Sequence, residues 1–198
     1  MTILATTKLE AVNTMLSAIG EAPVSSITGN ATADVAMAIA ILDEVDKQVQ
    51  SVGWHFNTEF DVVLTPNVSN EIEVPTNIIR IDVTRANAPT KDITQRGSKL
   101  YDLVEHSYTF TAQVKCDVVY LLAFTDLPEA ARKYITARAA RVFQDRVLGA
   151  REHHQYNLRD EQLALADLRR HEGLTGDYTY LDNLPHVLDR VYPRPRSS

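Results

Sequence analysis

The chain has 198 residues, 44% of them hydrophobic and 23% charged, with a formal net charge of −6. That is enough apolar material for one domain with a buried core, or a domain carrying a subdomain, and the negative balance excludes a protein that grips nucleic-acid phosphates over its whole surface. Its single cysteine, Cys116, excludes an intrachain disulfide and a cysteine metal cluster.

Met1 to Thr7 reads as a short leader without the charged and apolar pattern of a signal segment. Leu9, Val12, Leu16 and Ile19 then share one helical face; Gly20 caps that helix and Pro23 stops it resuming. A longer second helix starts at Asn30 or Thr32, both good N-caps, and carries Val35, Ile39, Leu42, Val49 and Val52 at helical spacing. Gly53 ends it, and Trp54 and Phe56 follow as an apolar plug. From Thr58 the period becomes two. Phe60, Val62 and Leu64 form one face, Ile72 and Val74 start another extended piece, and Ile79, Ile81 and Val83 alternate with Arg80 and Asp82. Gly97 and Ser98 turn a hairpin between Ile93–Arg96 and Lys99–Leu103. Tyr108 and Phe110 alternate with threonines, and Val114, Cys116, Val118, Tyr120 and Leu122 line one face of a long strand. The strongest apolar run, Val118 to Phe124, is of strand length and too short to cross a bilayer.

Asp126 and Glu129 predict a capping box for a third helix, with Pro128 in its first turn and Tyr134, Ile135, Ala139, Val142 and Phe143 facing inward up to Gly149. A fourth helix runs from about Glu152 to Glu172, with Leu158, Leu165 and Leu168 on one stripe, Leu163 beside it, and Gly173 and Gly176 to close it. Asp177 to Ser198 has three prolines, no clean period and many apolar residues; such an arm needs a neighbouring surface to lie on. The expectation is an α+β fold. Helical pairs at 1–57 and 126–172 form a four-helix bundle, a mainly antiparallel β subdomain at 58–125 is inserted between them, and an extended arm covers 173–198.

Several blocks carry a family signature in their order and spacing. They are the first helix with IGEAPVSSI, the long helix running into QSVGWHFNTE, RGSKLYD (Arg96 to Asp102), FTDLPEAARKYITARAARVFQDRVLGA (Phe124 to Ala150) and an acidic last helix. Together they resemble the tail tubular protein A family of short-tailed bacteriophages over most of the chain. The resemblance implies a structural virion protein, not an enzyme, assembled in the host cytoplasm and acting without a cofactor. Copies form a ring, commonly of twelve, that adapts head to tail. The ring joins the portal protein to the tail nozzle protein (tail tubular protein B) and offers a docking surface to tail fibres. Double-stranded DNA passes through its channel without sequence-specific binding, and no membrane is involved.

The residues themselves offer little other chemistry. His153 and His154 are adjacent and point about 100° apart, whereas helix metal ligands sit three or four residues apart. Asp43, Glu44 and Asp46, and Asp160, Glu161, Asp167 and Glu172, read as polar faces of amphipathic helices; a glycan hydrolase would instead need two of them facing across a cleft. Arg132, Lys133, Arg138, Arg141, Arg146 and Arg151 gather on or after the third helix. They could contact phosphates in a DNA-binding module, but pairing with the acidic fourth helix or a neighbour is favoured because no aromatics interleave. Trp54 reads equally as an interface anchor and as a core plug. The interaction candidates are thus Trp54, Arg138 and Arg141, and in the arm Tyr178, Tyr180, Leu184, Val191, Tyr192, Arg194 and Arg196.

Overall fold

The computed structural model describes residues 5–29, 32–83, 91–149 and 151–175, the side chains of 151–153 excepted. The first helix, α1 (Lys8–Ser17), opens on a reciprocal cap. The Glu10 amide donates to the Thr7 hydroxyl at 3.2 Å, and the Thr7 amide donates to the Glu10 carboxylate at 2.7 Å. Beyond its end Gly20 takes φ +83° and the Glu21 amide returns to the Leu16 carbonyl at 3.0 Å. Asn13 then holds the following loop, accepting from the Val24 amide at 2.8 Å and donating to the Val24 carbonyl at 3.0 Å. Helix α2 (Ala33–Gln50) starts at Thr32, one of the two predicted caps. It buries Val35, Ala38, Ile41, Leu42, Val45 and Val49. Val52 does not continue this stripe: the helix stops at Gln50, and Val52 is 59% exposed in the turn after it.

Among the described residues the strands that follow are β1 (Thr58–Leu64), β2 (Ile78–Asp82), β3 (Ile93–Arg96), β4 (Lys99–Asp102) and β5 (Val114–Tyr120). They make two antiparallel sheets, β1-β5-β2 and the β3-β4 hairpin. The alternation expected from Phe60 breaks because β1 is bulged: Glu59 faces Val118 and Val62 faces Cys116, so one extra residue is absorbed between them. Asp61 takes φ +56° there, and Phe60 is turned outward, 65% exposed. Leu122 falls beyond β5, and Ile72 and Val74 lie on a segment that makes isolated bridges at Glu71 and Glu73 instead of a strand.

Helix α3 (Glu129–Val147) does not form the predicted capping box. Asp126 ends a short 3-10 turn, Pro128 occupies the N-cap without a side-chain acceptor, and the Glu129 carboxylate is taken by Thr6. It accepts from the Thr6 amide at 2.8 Å and from its hydroxyl at 2.7 Å, tying the start of α3 to the segment before α1. The last helix, α4 (Arg151–Thr175), runs through Gly173. A lone glycine weakens a helix by about 1 kcal/mol without ending it, and Gly173 keeps a φ outside the left-handed region.

Helices α1, α2 and α3 pack on one another and α4 packs on α3. Their shared core holds Met15, Leu16, Leu42, Ile135 and Phe143, and Leu168 joins it from α4. A second cluster in the β region holds Ile72, Leu100, Phe110, Cys116 and Val118. Among the described residues the architecture is therefore α+β, with four α-helices and two small antiparallel sheets.

Candidate interaction surfaces

The segment from Gln50 to Asn57 joins the helices to the sheet through buried amides. Gln50 is fully buried at the end of α2. Its Oε1 accepts from the Leu122 amide at 2.8 Å, and its Nε2 donates to the Leu122 carbonyl at 3.0 Å and to Asp46 at 2.9 Å. Asn57 donates to the carbonyls of Gln50 at 3.0 Å and Tyr120 at 2.8 Å, and accepts from the Trp54 amide at 2.9 Å. Both side chains bridge α2 to the end of β5, so the helical body and the sheet meet at matched polar groups. Gly53 sits in this corner at φ +83°, where a Cβ would lie 2.6 Å from the Arg80 guanidinium. Trp54 stacks on Phe56 with ring centroids 6.5 Å apart, and its indole N–H donates to the Val49 carbonyl at 2.8 Å. It is half-buried against the helical core.

The Arg96 to Asp102 block has an equally local explanation. Gly97 turns the hairpin at φ +62°, and the Arg96 guanidinium lies 3.8 Å from the centroid of Tyr101. Lys99 reaches Glu71 at 2.6 Å. Asp102 is fully buried; it accepts from the amides of Val104 at 2.9 Å and Glu105 at 3.2 Å, and pairs with Lys91 at 3.1 Å. Burial pushes its carboxyl up, but the amides of Glu105 and Val104 and then Lys91 outweigh that and hold it below the ordinary range.

The cations of α3 are engaged within the chain. Arg132 donates to the carbonyls of Leu127 at 2.8 Å and Thr6 at 3.0 Å, and also to that of Thr125. Lys133 lies 3.7 Å from Glu129. Arg138 contacts Gln48 at 3.2 Å and Glu161 at 4.0 Å. Arg141 binds Glu161 directly and Asp145 at 3.2 Å. Arg146 forks onto Glu44 at 2.8 and 3.0 Å, and this bond is the main reason the Glu44 carboxyl is lowered. The partners therefore include the predicted acidic α4 and also α2; Arg151 lies where side chains are not described.

His154 places Nδ1 2.9 Å from Asp145, which Arg141 also contacts. Among the described residues no three His, Cys, Asp or Glu side chains gather to hold a metal ion. Cys116 is buried in the sheet cluster, and burial raises its thiol to about 11. A groove of about 460 Å³ between α1, α3 and α4 contains Thr14, Thr136, Asn157 and the carboxylate Asp160. A second, of about 390 Å³, has Asp43 and Asp46 with Lys8 and Lys47. There Lys8 binds Asp43 at 2.6 Å, while burial raises the Asp46 carboxyl.

The apolar pattern of α4 is dominated by its inward leucines, which mask its outer face. Tyr156, Leu163 and Leu174 are 74%, 61% and 76% exposed. Their separations of seven and eleven residues are the signal that places them on a common face. The arm candidates Tyr178, Tyr180, Leu184, Val191, Tyr192, Arg194 and Arg196 lie outside the described residues.

Comparison with known proteins gives this arrangement a context. Residues 9–178 match a family model described as tail tubular protein. Over 166 residues the chain is 31% identical to the tail tubular protein A of Klebsiella phage KP34, covering 83% of this chain and 86% of that relative. The class so defined is the structural protein of a bacteriophage tail. Within it, the chain belongs to the tail tubular protein family.

Proposed function

We propose that this tail protein is the head-to-tail adaptor. Copies form a ring that joins the portal to the tail nozzle, gives tail fibres a docking surface and lets genomic DNA pass through its channel. It is assembled in the host cytoplasm and acts by binding, not catalysis. The observation that carries this reading is the family match over residues 9–178, which spans every helix and strand described except the first residue of α1. Two further features support it. The cations of α3 bind partners within the chain, so a net charge of −6 has no free basic stripe on that helix to hold passing DNA. The arm from Asp177 to Ser198 is rich in apolar residues and suits a neighbour or the portal. On this reading the helices form the ring wall, the β region at 58–125 projects from it, and acidic side chains of α2 or α4 face the channel.

The test is the mass of the complex formed with the portal protein of the same phage, by light scattering after gel filtration. A discrete assembly with many copies on one portal ring is expected; absence of a complex across salt conditions overturns the adaptor reading. Deleting Asp177 to Ser198 should leave the fold intact and weaken that assembly. A second reading, a glycan hydrolase, would draw on Asp43 and Asp46, which line one groove beside α2. Release of sugar by the purified chain, lost in Asp46→Asn, would establish it.

A further inference from the structure

The outer face of α4 carries a second seam, distinct from the one that packs on α3. At 100° per residue, Tyr156, Leu163, Asp167, Arg170 and Leu174 fall within about 60° of arc. Leu158, Leu165 and Leu168 lie on the opposite side, and only Leu168 of these is fully buried. From Leu163 the outer positions step by four, three and four residues, the spacing of a coiled-coil seam. The apolar members are well exposed, and the two polar ones already pair with each other, Arg170 to Asp167 at 2.5 Å, in the open.

We propose that this seam is an interface between two copies of the chain, with their α4 helices antiparallel. Register selects this arrangement. A two-fold axis facing the midpoint between Leu168 and Arg169 sets Leu163 against Leu174 of the second copy, twice. The same axis sets Asp167 against Arg170 of the second copy, also twice. Apolar meets apolar and each carboxylate meets a guanidinium in a single alignment. A parallel, in-register pair would put Asp167 on Asp167 and Arg170 on Arg170, so charge selects the antiparallel arrangement. The seam from Leu163 to Leu174 is about 17 Å long, short for a permanent interface, so the contact is reversible and concentration-dependent. A two-fold contact closes on itself and cannot build a ring. It goes beyond the adaptor reading: it pairs free subunits and covers this face, while ring closure uses other surfaces.

The test is site-specific cross-linking of the full chain under mild oxidation at high protein concentration. The native Cys116 is buried and leaves the background low. The double variant Leu163→Cys/Leu174→Cys should form covalent dimers, and either single variant far fewer, because each position faces the other. In sedimentation equilibrium, Asp167→Arg should weaken the dimer about tenfold or more, and adding Arg170→Asp should restore it. Both positions are exposed, so the monomer keeps its fold, which circular dichroism checks. The proposal is overturned if the single cysteine variants cross-link as well as the double one. It is equally overturned if the chain stays monomeric at all concentrations, or if the charge swap fails to restore what the single reversal removes. None of these outcomes touches portal binding, so the adaptor reading stands or falls separately.

Discussion

Helices α3 and α4 are both long and highly charged, yet they stand in the molecule in different ways. Helix α3 packs on each of the other three helices, and its arginines find carboxylates on α2 and α4 or carbonyls of the preceding turn. Helix α4 rests on α3 through one stripe and leaves Tyr156, Leu163 and Leu174 outward. Similar composition thus serves two ends. On α3 the charges fix how the helices sit together, whereas on α4 one face remains available to something else. What separates them is how many of the other helices pack around each, which a count of arginines does not reveal.

The largest effect that can break this contrast comes from the core. Phe143→Ala on α3 should destabilise by about 3–5 kcal/mol, and Leu168→Ala on the inner stripe of α4 by about 2–5 kcal/mol. Leu163→Ala on the outer stripe should stay within about 0.5 kcal/mol. Urea denaturation of the three variants reads this directly; equal losses at Leu163 and Leu168 would show that α4 has no free face. Next comes the α3–α4 ion pair. Arg141 and Glu161 have side chains only 20% and 12% exposed, so Arg141→Met, which leaves a carboxylate half-stranded, should cost about 1–3 kcal/mol. Glu161→Gln in that background should recover part of it, by a double-mutant cycle.

Asp102 sharpens the comparison from outside the helices, since it is a carboxylate turned wholly inward. Its folded pKa is depressed, so its stabilising contribution is present above the ordinary carboxylate value of about 3.9 and is lost as pH falls through the lower folded value. Asp102→Asn should therefore flatten the acid limb of the stability curve and leave the two variants closest at low pH. The smallest effect belongs to Arg146 and Glu44, both half exposed. Arg146→Gln should not shift the urea midpoint measurably. Nor should it change the salt dependence of DNA retention, and a flatter salt slope in that variant would return α3 to a phosphate-binding role.

The helices were legible in the sequence where local rules are strong. Thr32 caps α2, Gly20 and Gly149 follow helix ends with positive φ, and the Gly97–Ser98 hairpin forms between the predicted strands. Features set by distant partners were not. Asp126 and Glu129 have the spacing of a capping box, but Thr6, far away in sequence, takes the glutamate. The Thr7–Glu10 box had the same local signal and does form. The bulge at Phe60 depends on the register with β5, which alternation within one strand does not encode. For the candidate surfaces, the acidic α4 points to pairing of the α3 cations, but Arg146 pairs with Glu44 on α2, a partner that only the packing of the helices brings near. On α4 the sequence places Leu163 beside the stripe of Leu158, Leu165 and Leu168, but the structure turns it to the outer side, 61% exposed, while Leu168 is buried.

The division between an inward α3 and an outward α4 is tested most directly by amide hydrogen exchange, comparing dilute with concentrated protein. Exchange across residues 163–174 of α4 should slow as concentration rises, with α3 unchanged. Slowing confined to α3, or no change in either helix, would contradict it.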